Sequence, residues 1–474
     1  MSRFVILAAL LSFAVAGRAQ DIVVISDLHM GNGHGRNGDF LPTEDFRWTK
    51  DFQAFLDSLG NKVTLVLAGD TFELWENDTE HCASENIGCT SAELLHRLKT
   101  VLEAHREEVN ALKGFAARGT NRVVIIPGNH DAGILFPDAT ATLLKEFASN
   151  RIEIAKDGYW ISERRVLVEH GHQMDPANRF PSWPHPFTGS PKHLERPAGE
   201  QFVRDFFDAQ ERRFPVVDNF TSATAGLAYA RQTPSVSLTR AARQFLSFYL
   251  HDLSWRQQGG FLSTPEGAIP EWDLSLTRKR DVGFLLTSVA DADDKPLFDA
   301  FSADSIEFIS DDELLDICDS RYLASARIGK ERETQQCAMK NLSFTTMGAV
   351  KLVTHRDFLF ELYLTNTISA YRNKGLLLGD VIYVYGHTHS AQAPAKGPFE
   401  HLTVANTGAW QRLISPRAVA ALKIPAAYVL STLTLDRLPA CYPFILISGN
   451  DVALRYWTKQ GSGYTALPNC PDRE

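Results

Sequence analysis

Five short polar clusters, each directly after an apolar run, constrain this chain more than any other feature. They are Asp27-Leu28-His29, Gly69-Asp70, Gly128-Asn129-His130-Asp131, His170-Gly171-His172 and Gly386-His387-Thr388-His389. The runs before them, Ile22–Ser26, Val63–Ala68, Val123–Ile126, Val166–Val168 and Val381–Tyr385, are rich in β-branched residues. They read as strands covered on both faces. Helical patterns lie between them, over Glu44–Leu59 and the long stretch Ser91–Ala117. Strand–helix alternation with polar residues at the strand ends predicts an α/β core whose site lies along one edge of its sheets. Residues 400–457 return to strand-like runs such as Phe444–Ser448 and are expected to complete a second sheet.

The clusters hold six of the 15 histidines, which scattered core histidines would not do. Together they offer carboxylates, an amide oxygen and imidazoles, a mixture that suits Zn, Mn or Fe, and no cysteine sits among them. A two-metal hydrolytic site needs a bridging carboxylate, terminal ligands on each ion and an open position for solvent, the ions lying roughly 3.5–4 Å apart. Asp27 and His29, two apart at a strand end, can converge on one ion. Asp70, alone after a glycine, has the reach and charge of a bridge. Asn129 offers a neutral oxygen that does not repel an anionic substrate, and His387 and His389 can each serve a different ion. Any one of these residues alone has a plainer explanation, as a helix cap, a turn or a satisfied histidine. Gly31-Asn-Gly-His-Gly35 is not a phosphate-cradling loop, because the Lys-[Ser/Thr] of such loops is missing. Its glycines suit a tight loop beside the ions.

In order and spacing the clusters resemble the calcineurin-like metallophosphoesterase family, whose pattern is Asp-x-His, Gly-Asp, Gly-Asn-His-[Asp/Glu], a lone His and Gly-His-x-His. The match runs from Asp27 to His389 and leaves out most of the stretch before His387. The resemblance implies a four-layer α/β/β/α sandwich holding two divalent transition-metal ions (Mn, Fe or Zn), with a metal-bridging hydroxide that attacks a phosphoester. It implies that Asp27, His29, Asp70 and His389 hold one ion and Asp70, Asn129, His170 and His387 the other. It makes His130 the histidine that meets the phosphate and assists the leaving oxygen, with Asp131 orienting that imidazole. The segment Gly69-Asp-Thr-Phe-Glu-Leu-Trp75 is similar to the UDP-2,3-diacylglucosamine hydrolase branch. That branch usually has Arg where His130 stands and works at the cytoplasmic face, so the resemblance carries phosphoester chemistry and not the lipid substrate. His172 and Arg179 are candidate substrate contacts, as are Asp175, Asn178, Trp183 and His185, while Glu73 reads as a supporting residue. A scaffold or metal-dependent binding protein on the same fold is the alternative, and retention of His130 with the full ligand set counts against it.

The clusters are 43, 59, 41 and then 217 residues apart, counting from Asp27 through Asp70, Asn129 and His170 to His387. The long gap predicts an insert, placed at residues 176–350, between core parts 20–175 and 351–474. It opens with the Pro- and aromatic-rich loop Asn178–Phe187 and is expected to be helical over Glu200–Phe214, Leu238–Gln257 and Asp311–Ala326. It reads as a cap beside the site or as a helical domain packed on the core. Residues 1–19, with Arg3, the apolar run Phe4–Ala16 and small residues after it, describe a secretory signal peptide too short to span a bilayer comfortably. Secretion or a periplasmic location follows, and the six cysteines then favour disulfides, with Cys82–Cys89, Cys318–Cys337 and Cys441–Cys470 as the local pairings. Glycosylation-type triplets occur at Asn77, Asn219 and Asn341. A net charge of −9 gives no general attraction for nucleic acid, which leaves a phosphorylated small molecule or a phospholipid-like compound as the expected substrate.

Overall fold

The run Asp21–Ile25 forms a strand flanked on both sides, and its alternation sorts the core. Val23 and Ile25 face one apolar cluster, and Ile22 and Val24 face another. The computed structural model describes residues 20–76, 82, 88–175 and 178–197, parts of 199–221, residue 229, and residues 356–461 and 463–470. Its strands are β1 (Asp21–Ile25), β2 (Val63–Ala68), β3 (Arg122–Ile126), β4 (Ile152–Ile154), β5 (Tyr159–Ser162), β6 (Val166–Glu169), β7 (Phe187–Thr188) and β8 (His193–Leu194). They continue with β9 (Val381–Tyr385), β10 (Gln392–Lys396), β11 (Leu402–Asn406), β12 (Cys441–Ser448), β13 (Asp451–Gln460) and β14 (Gly463–Leu467).

Two sheets result. The first runs β14-β13-β12-β1-β2-β3-β4, parallel from β1 to β4 and antiparallel from β1 through β12 to β14. The second runs β10-β11-β9-β6-β5, with β11, β9 and β6 parallel and an antiparallel strand at each edge. Val24, Val66, Val124, Val168 and Val384 pack in one cluster between them. On the outer face of the first sheet lie α1 (Thr49–Ser58), α2 (Ser91–Ala104), α3 (Arg106–Ala117) and α4 (Pro137–Phe147), with Phe52, Leu98, Leu112 and Leu143 buried. On the outer face of the second lies α5 (Arg356–Asn373), with Leu364 and Ile368 against Val381 and Tyr383. The order is α/β/β/α, as expected. Strands β1, β2, β3, β6 and β9 all end at the edge where the five polar clusters follow.

Several elements differ from the sequence reading. Leu402–Asn406 joins the second sheet, but Phe444–Ser448 lies within β12 and pairs antiparallel with β1 in the first. Periodicity reports burial, not the neighbour that supplies it. The helix expected from Glu44 begins at Thr49, because the Glu44 carboxylate accepts the amides of Gly31, Gly33 and Phe46 and holds that stretch as a loop. The same contacts tie down the glycine-rich loop. The long helical stretch is two helices, broken at His105. A capping box between Thr90 and Glu93 starts the first of them.

Part of the predicted insert belongs to the main core. Phe180, Leu194, Phe214, Val216, Val217 and Phe220 are buried in the cluster that α1–α4 cover. Within Glu200–Phe214, Asp208–Glu211 forms a single α-helical turn. Asn219, one of the triplets, is fully buried and donates through Nδ2 to the Arg412 carbonyl, so it offers no accessible glycosylation site. Leu238–Gln257, Asp311–Ala326, Asn77, Asn341, Cys318–Cys337 and residues 1–19 lie outside the described residues. Cys82–Cys89 and Cys441–Cys470 are disulfide-bonded.

Candidate metal centre

Three glycines set how closely the cluster side chains approach. A Cβ at Gly69 would collide with the His170 ring, one at Gly128 with the Asp70 carboxylate, and one at Gly386 with Ser26 Oγ and Asp27. Five candidate ligands themselves have left-handed backbone: Asp27 (φ 54°), His29 (50°), Asp70 (49°), His387 (69°) and His389 (57°). Such conformations cost about 1–3 kcal/mol each for non-glycine residues and collect at functional sites, where the surrounding fold enforces them. Strands β1, β2 and β9 therefore each end in a turn that swings polar side chains over the sheet edge.

The side chains meet in two overlapping groups. Asp27, His29 and His389 bring ligand-type atoms within 4.8 Å of one another, as do Asp70, His170 and His387. Asp70 Oδ2 links the groups, 2.9 Å from His170 Nε2 and 3.9 Å from His29 Nε2. His170 Nε2 also lies 3.0 Å from Asn129 Oδ1 and 4.0 Å from Asp27 Oδ1, and Asp27 Oδ1 has His389 Nε2 at 3.4 Å. Asp27, Asp70, Asn129 and His170 are at most 1% exposed.

The free valences point the same way. His170 Nδ1 sits 2.9 Å from the Ala68 carbonyl and His29 Nδ1 2.9 Å from Glu73 Oε2, so each imidazole donates outward and turns its Nε2 lone pair inward. Asp175 accepts from His387 Nε2 at 3.0 Å, which leaves Nδ1 as that ring's available nitrogen. Asp27 Oδ1 and His29 Nε2 are buried with no hydrogen-bond partner among the described residues. Carboxylate, imidazole and amide atoms converging in a dry site are what divalent ions satisfy, displacing any proton the imidazoles share with the carboxylates. The donor set of carboxylates, imidazoles and one amide therefore fits the implied ions.

Electrostatics agree. Burial raises the Asp27 carboxyl, but the His170 and His389 imidazoles outweigh it and hold it at about 2. Burial likewise opposes ionisation of Asp70, and His170 and His130 hold it well below the carboxylate range. Burial pushes His170 down, while Asp70 and Asp27 push it up to about 9.

His130 lies beside this group with 15% of its side chain exposed. Its Nδ1 meets Glu73 Oε2 at 2.5 Å, its ring stacks on Trp75 at 4.0 Å, and its amide donates to Asp70 Oδ1 at 2.8 Å. Glu73 and Asp70 overcome burial and raise the imidazole to about 9. Here the sequence reading of Asp131 needs correction. The carboxylate expected to orient His130 instead accepts the amides of Thr71, Phe72 and Gly128, fully buried under the β2 and β3 turns. Glu73, three residues after Asp70, performs the orienting contact, and one oxygen serves both His29 and His130.

The proposed substrate contacts separate. His172 is 2% exposed, packed edge-on against Trp183 at 4.3 Å and close to Phe180, and neither ring nitrogen has a hydrogen-bond partner among the described residues. Burial holds it well below the usual imidazole range, which makes it a neutral ring enclosed behind His170. The Asn178–Phe187 loop thus folds onto the His170 turn. Arg179 follows Asp175, to whose carbonyl its amide donates, and burial lowers its guanidinium from the ordinary range. Asp175, read as a substrate candidate, holds His387. Ser26 was not singled out. Its hydroxyl donates to Asp27 and lies 2.5 Å from Thr407 Oγ1, bracing the first ligand, and a serine before Asp-x-His carries no signal by spacing alone.

A two-sheet α/β/β/α sandwich brings carboxylates, imidazoles and an amide together at its strand ends, a donor set that suits divalent ions. Residues 21–232 match the family model of the calcineurin-like phosphoesterases, a family whose general chemistry is metal-dependent phosphoester hydrolysis. That stretch carries four of the five clusters, and His387 and His389 lie beyond it. No curated protein matches the chain. A solved structure, the protein of unknown function AQ665 from Aquifex aeolicus, is similar at 21% identity over 40% of this chain and 73% of that one. The TM-score is 0.17.

Proposed function

We propose that this protein is an exported phosphohydrolase with a dinuclear centre. Asp27, His29, Asp70 and His389 would hold one divalent ion and Asp70, Asn129, His170 and His387 the other. When bound, the ions would supply charge against the phosphoryl oxygens and make water acidic enough to attack phosphorus. The chain's own residues do the rest. His130, with Nδ1 on Glu73, turns Nε2 toward substrate and gives its proton to the leaving oxygen. Trp75 holds the ring in plane, and Asn129 contributes an oxygen without adding negative charge. The observation that carries this reading is Asp70 Oδ2 between His170 Nε2 and His29 Nε2, with Asp27 Oδ1 and His29 Nε2 buried and lacking a hydrogen-bond partner among the described residues. Monoesters, diesters and pyrophosphate-linked nucleotides all suit such a site, and the likeness of Gly69–Trp75 to the UDP-2,3-diacylglucosamine hydrolase branch adds phospholipid-like substrates. Export rests on residues 1–19. No described helix is long and apolar enough to cross a membrane.

Turnover of chromogenic phosphomonoesters and phosphodiesters by Mn- or Zn-loaded protein tests the reading, alongside Asn129→Ala and His130→Ala. Wild type is expected to turn over one ester class, with His130→Ala slower by about 10²–10⁴-fold at retained metal content and Asn129→Ala losing metal. Inertness of loaded wild type on these esters and on UDP-sugar and phospholipid panels would replace catalysis with a binding role.

A further inference from the structure

A second group of acids lies outside the five clusters. Glu76 and, on the single turn Asp208–Glu211, Asp208 and Glu211 each place a carboxylate oxygen within 4.8 Å of the other two. They are 7%, 8% and 0% exposed. Glu76 comes from a separate segment, just after Glu73 and Trp75, and its Oε2 is buried with no hydrogen-bond partner among the described residues. Asp45 adds further negative potential at Glu76, while Arg47 acts on Glu211 and Arg212 approaches Asp208 at 3.8 Å. Carboxylates gathered in a buried space repel one another unless a cation or a proton lies among them. Burial and then Glu211 push the Glu76 carboxyl well above its ordinary range.

We propose that Glu76, Asp208 and Glu211 form a hard-cation site of the Ca²⁺ class, separate from the candidate dinuclear centre. The trio is all carboxylate, and oxygen-only sets suit the hard ions Ca²⁺, Mg²⁺ and Mn²⁺ better than imidazole- or thiolate-seeking Zn²⁺ and Cu²⁺. Ca²⁺ accepts irregular mono- and bidentate carboxylates, whereas Mg²⁺ demands octahedral geometry and keeps several waters, which a buried trio leaves little room for. A cation here ties the Asp208–Glu211 turn to the loop that supports the neighbouring centre. Within that loop Glu73 Oε1 accepts the amides of Trp75 and Glu76 at 2.7 and 3.0 Å, and its Oε2 holds His29 and His130. The site therefore braces the residue that orients two imidazoles.

The test uses the full chain preloaded with Zn²⁺. Ca²⁺ binding is read by equilibrium dialysis and by the calcium-dependent rise in melting temperature, in wild type, Asp208→Asn/Glu211→Gln and Asp27→Asn. Wild type and Asp27→Asn are expected to bind one further equivalent and to melt higher with Ca²⁺. The carboxamide variant is expected to lose both effects while melting no lower than wild type without Ca²⁺, since shape is kept and like charge removed. Absence of Ca²⁺ binding in wild type would overturn the proposal in favour of a shared proton. Equal binding by the carboxamide variant would place the ion elsewhere and also overturn it. A carboxamide variant that melts below wild type without Ca²⁺ would mean that protein cations neutralise the acids, again overturning it. None of these readouts depends on turnover, so a failure here is separable from a failure of the phosphohydrolase reading.

Discussion

Glu73 governs two imidazoles with one oxygen. Because Oε2 accepts from both His29 Nδ1 and His130 Nδ1, it fixes both tautomers and directs both Nε2 atoms inward. A glutamine there has one acceptor oxygen, which can serve either the Trp75 and Glu76 amides or the two rings, and its amide protons would face N–H groups on the other side. Glu73→Gln is therefore expected to weaken metal binding by about 10–100-fold and to lower kcat further at saturating metal, measured by metal titration followed by steady-state kinetics. Unchanged affinity with unchanged kcat would show that neither ring depends on it. At this scale the sequence was informative where chemistry is carried by residue type at fixed offsets after a strand. The seven expected ligand residues do come together, and the glycines beside them are those that close approach requires. What it could not resolve is which of several nearby acids reaches a given ring. Asp131 adjoins His130 in sequence, yet its carboxylate faces the β2 and β3 turns, while Glu73, 57 residues away, faces the imidazole.

The break between α2 and α3 makes a prediction of its own. His105 sits at the break, 4% exposed, with Nε2 3.2 Å from Glu44 Oε1 and Nδ1 3.5 Å from Glu108 Oε2. Burial lowers this imidazole, but Glu44 and Glu108 raise it from 6.5 to about 9. A folded-state value above the unfolded one means that the stabilisation is complete below about pH 6.5 and disappears as pH rises through about 9. Wild type should accordingly lose roughly 2–4 kcal/mol of stability across that window. His105→Gln should be less stable at pH 6 and show a flatter profile, as measured by urea denaturation at stepped pH. Parallel profiles would remove His105 from the account. The amphipathic pattern identified α2 and α3 as one continuous stretch because a single break hardly disturbs a 3.6-residue period. Glu44 explains both this break and the late start of α1, through contacts distant in sequence that no local pattern contains. For the same reason the local pattern of β12 marks a strand but not the sheet it joins.

Across the whole molecule, the candidate centre is the seam of the sandwich. Asp27, Asp70 and Asn129 follow strands of the first sheet, and His170 and His387 follow strands of the second. Ions bound there would join the sheets and neutralise carboxylates that are otherwise buried together. Chelation should lower the melting temperature, and re-addition of Mn²⁺ or Zn²⁺ should restore it in proportion to RT ln(1 + [L]/Kd). A melting temperature indifferent to chelation would show that the seam holds without metal. The layer order was legible because buried strands and covering helices have different periods, whereas the insert boundary was not. Phe180, Leu194, Phe214 and Phe220 pack with the main core, and their spacing gives no sign of it. The central claim, two ions sharing Asp70, is tested most directly by electron paramagnetic resonance of the Mn²⁺-loaded protein. An exchange-coupled two-ion spectrum that collapses to an uncoupled one in Asp70→Asn is the predicted result. An uncoupled spectrum in fully loaded wild type would contradict a dinuclear centre and the mechanism built on it.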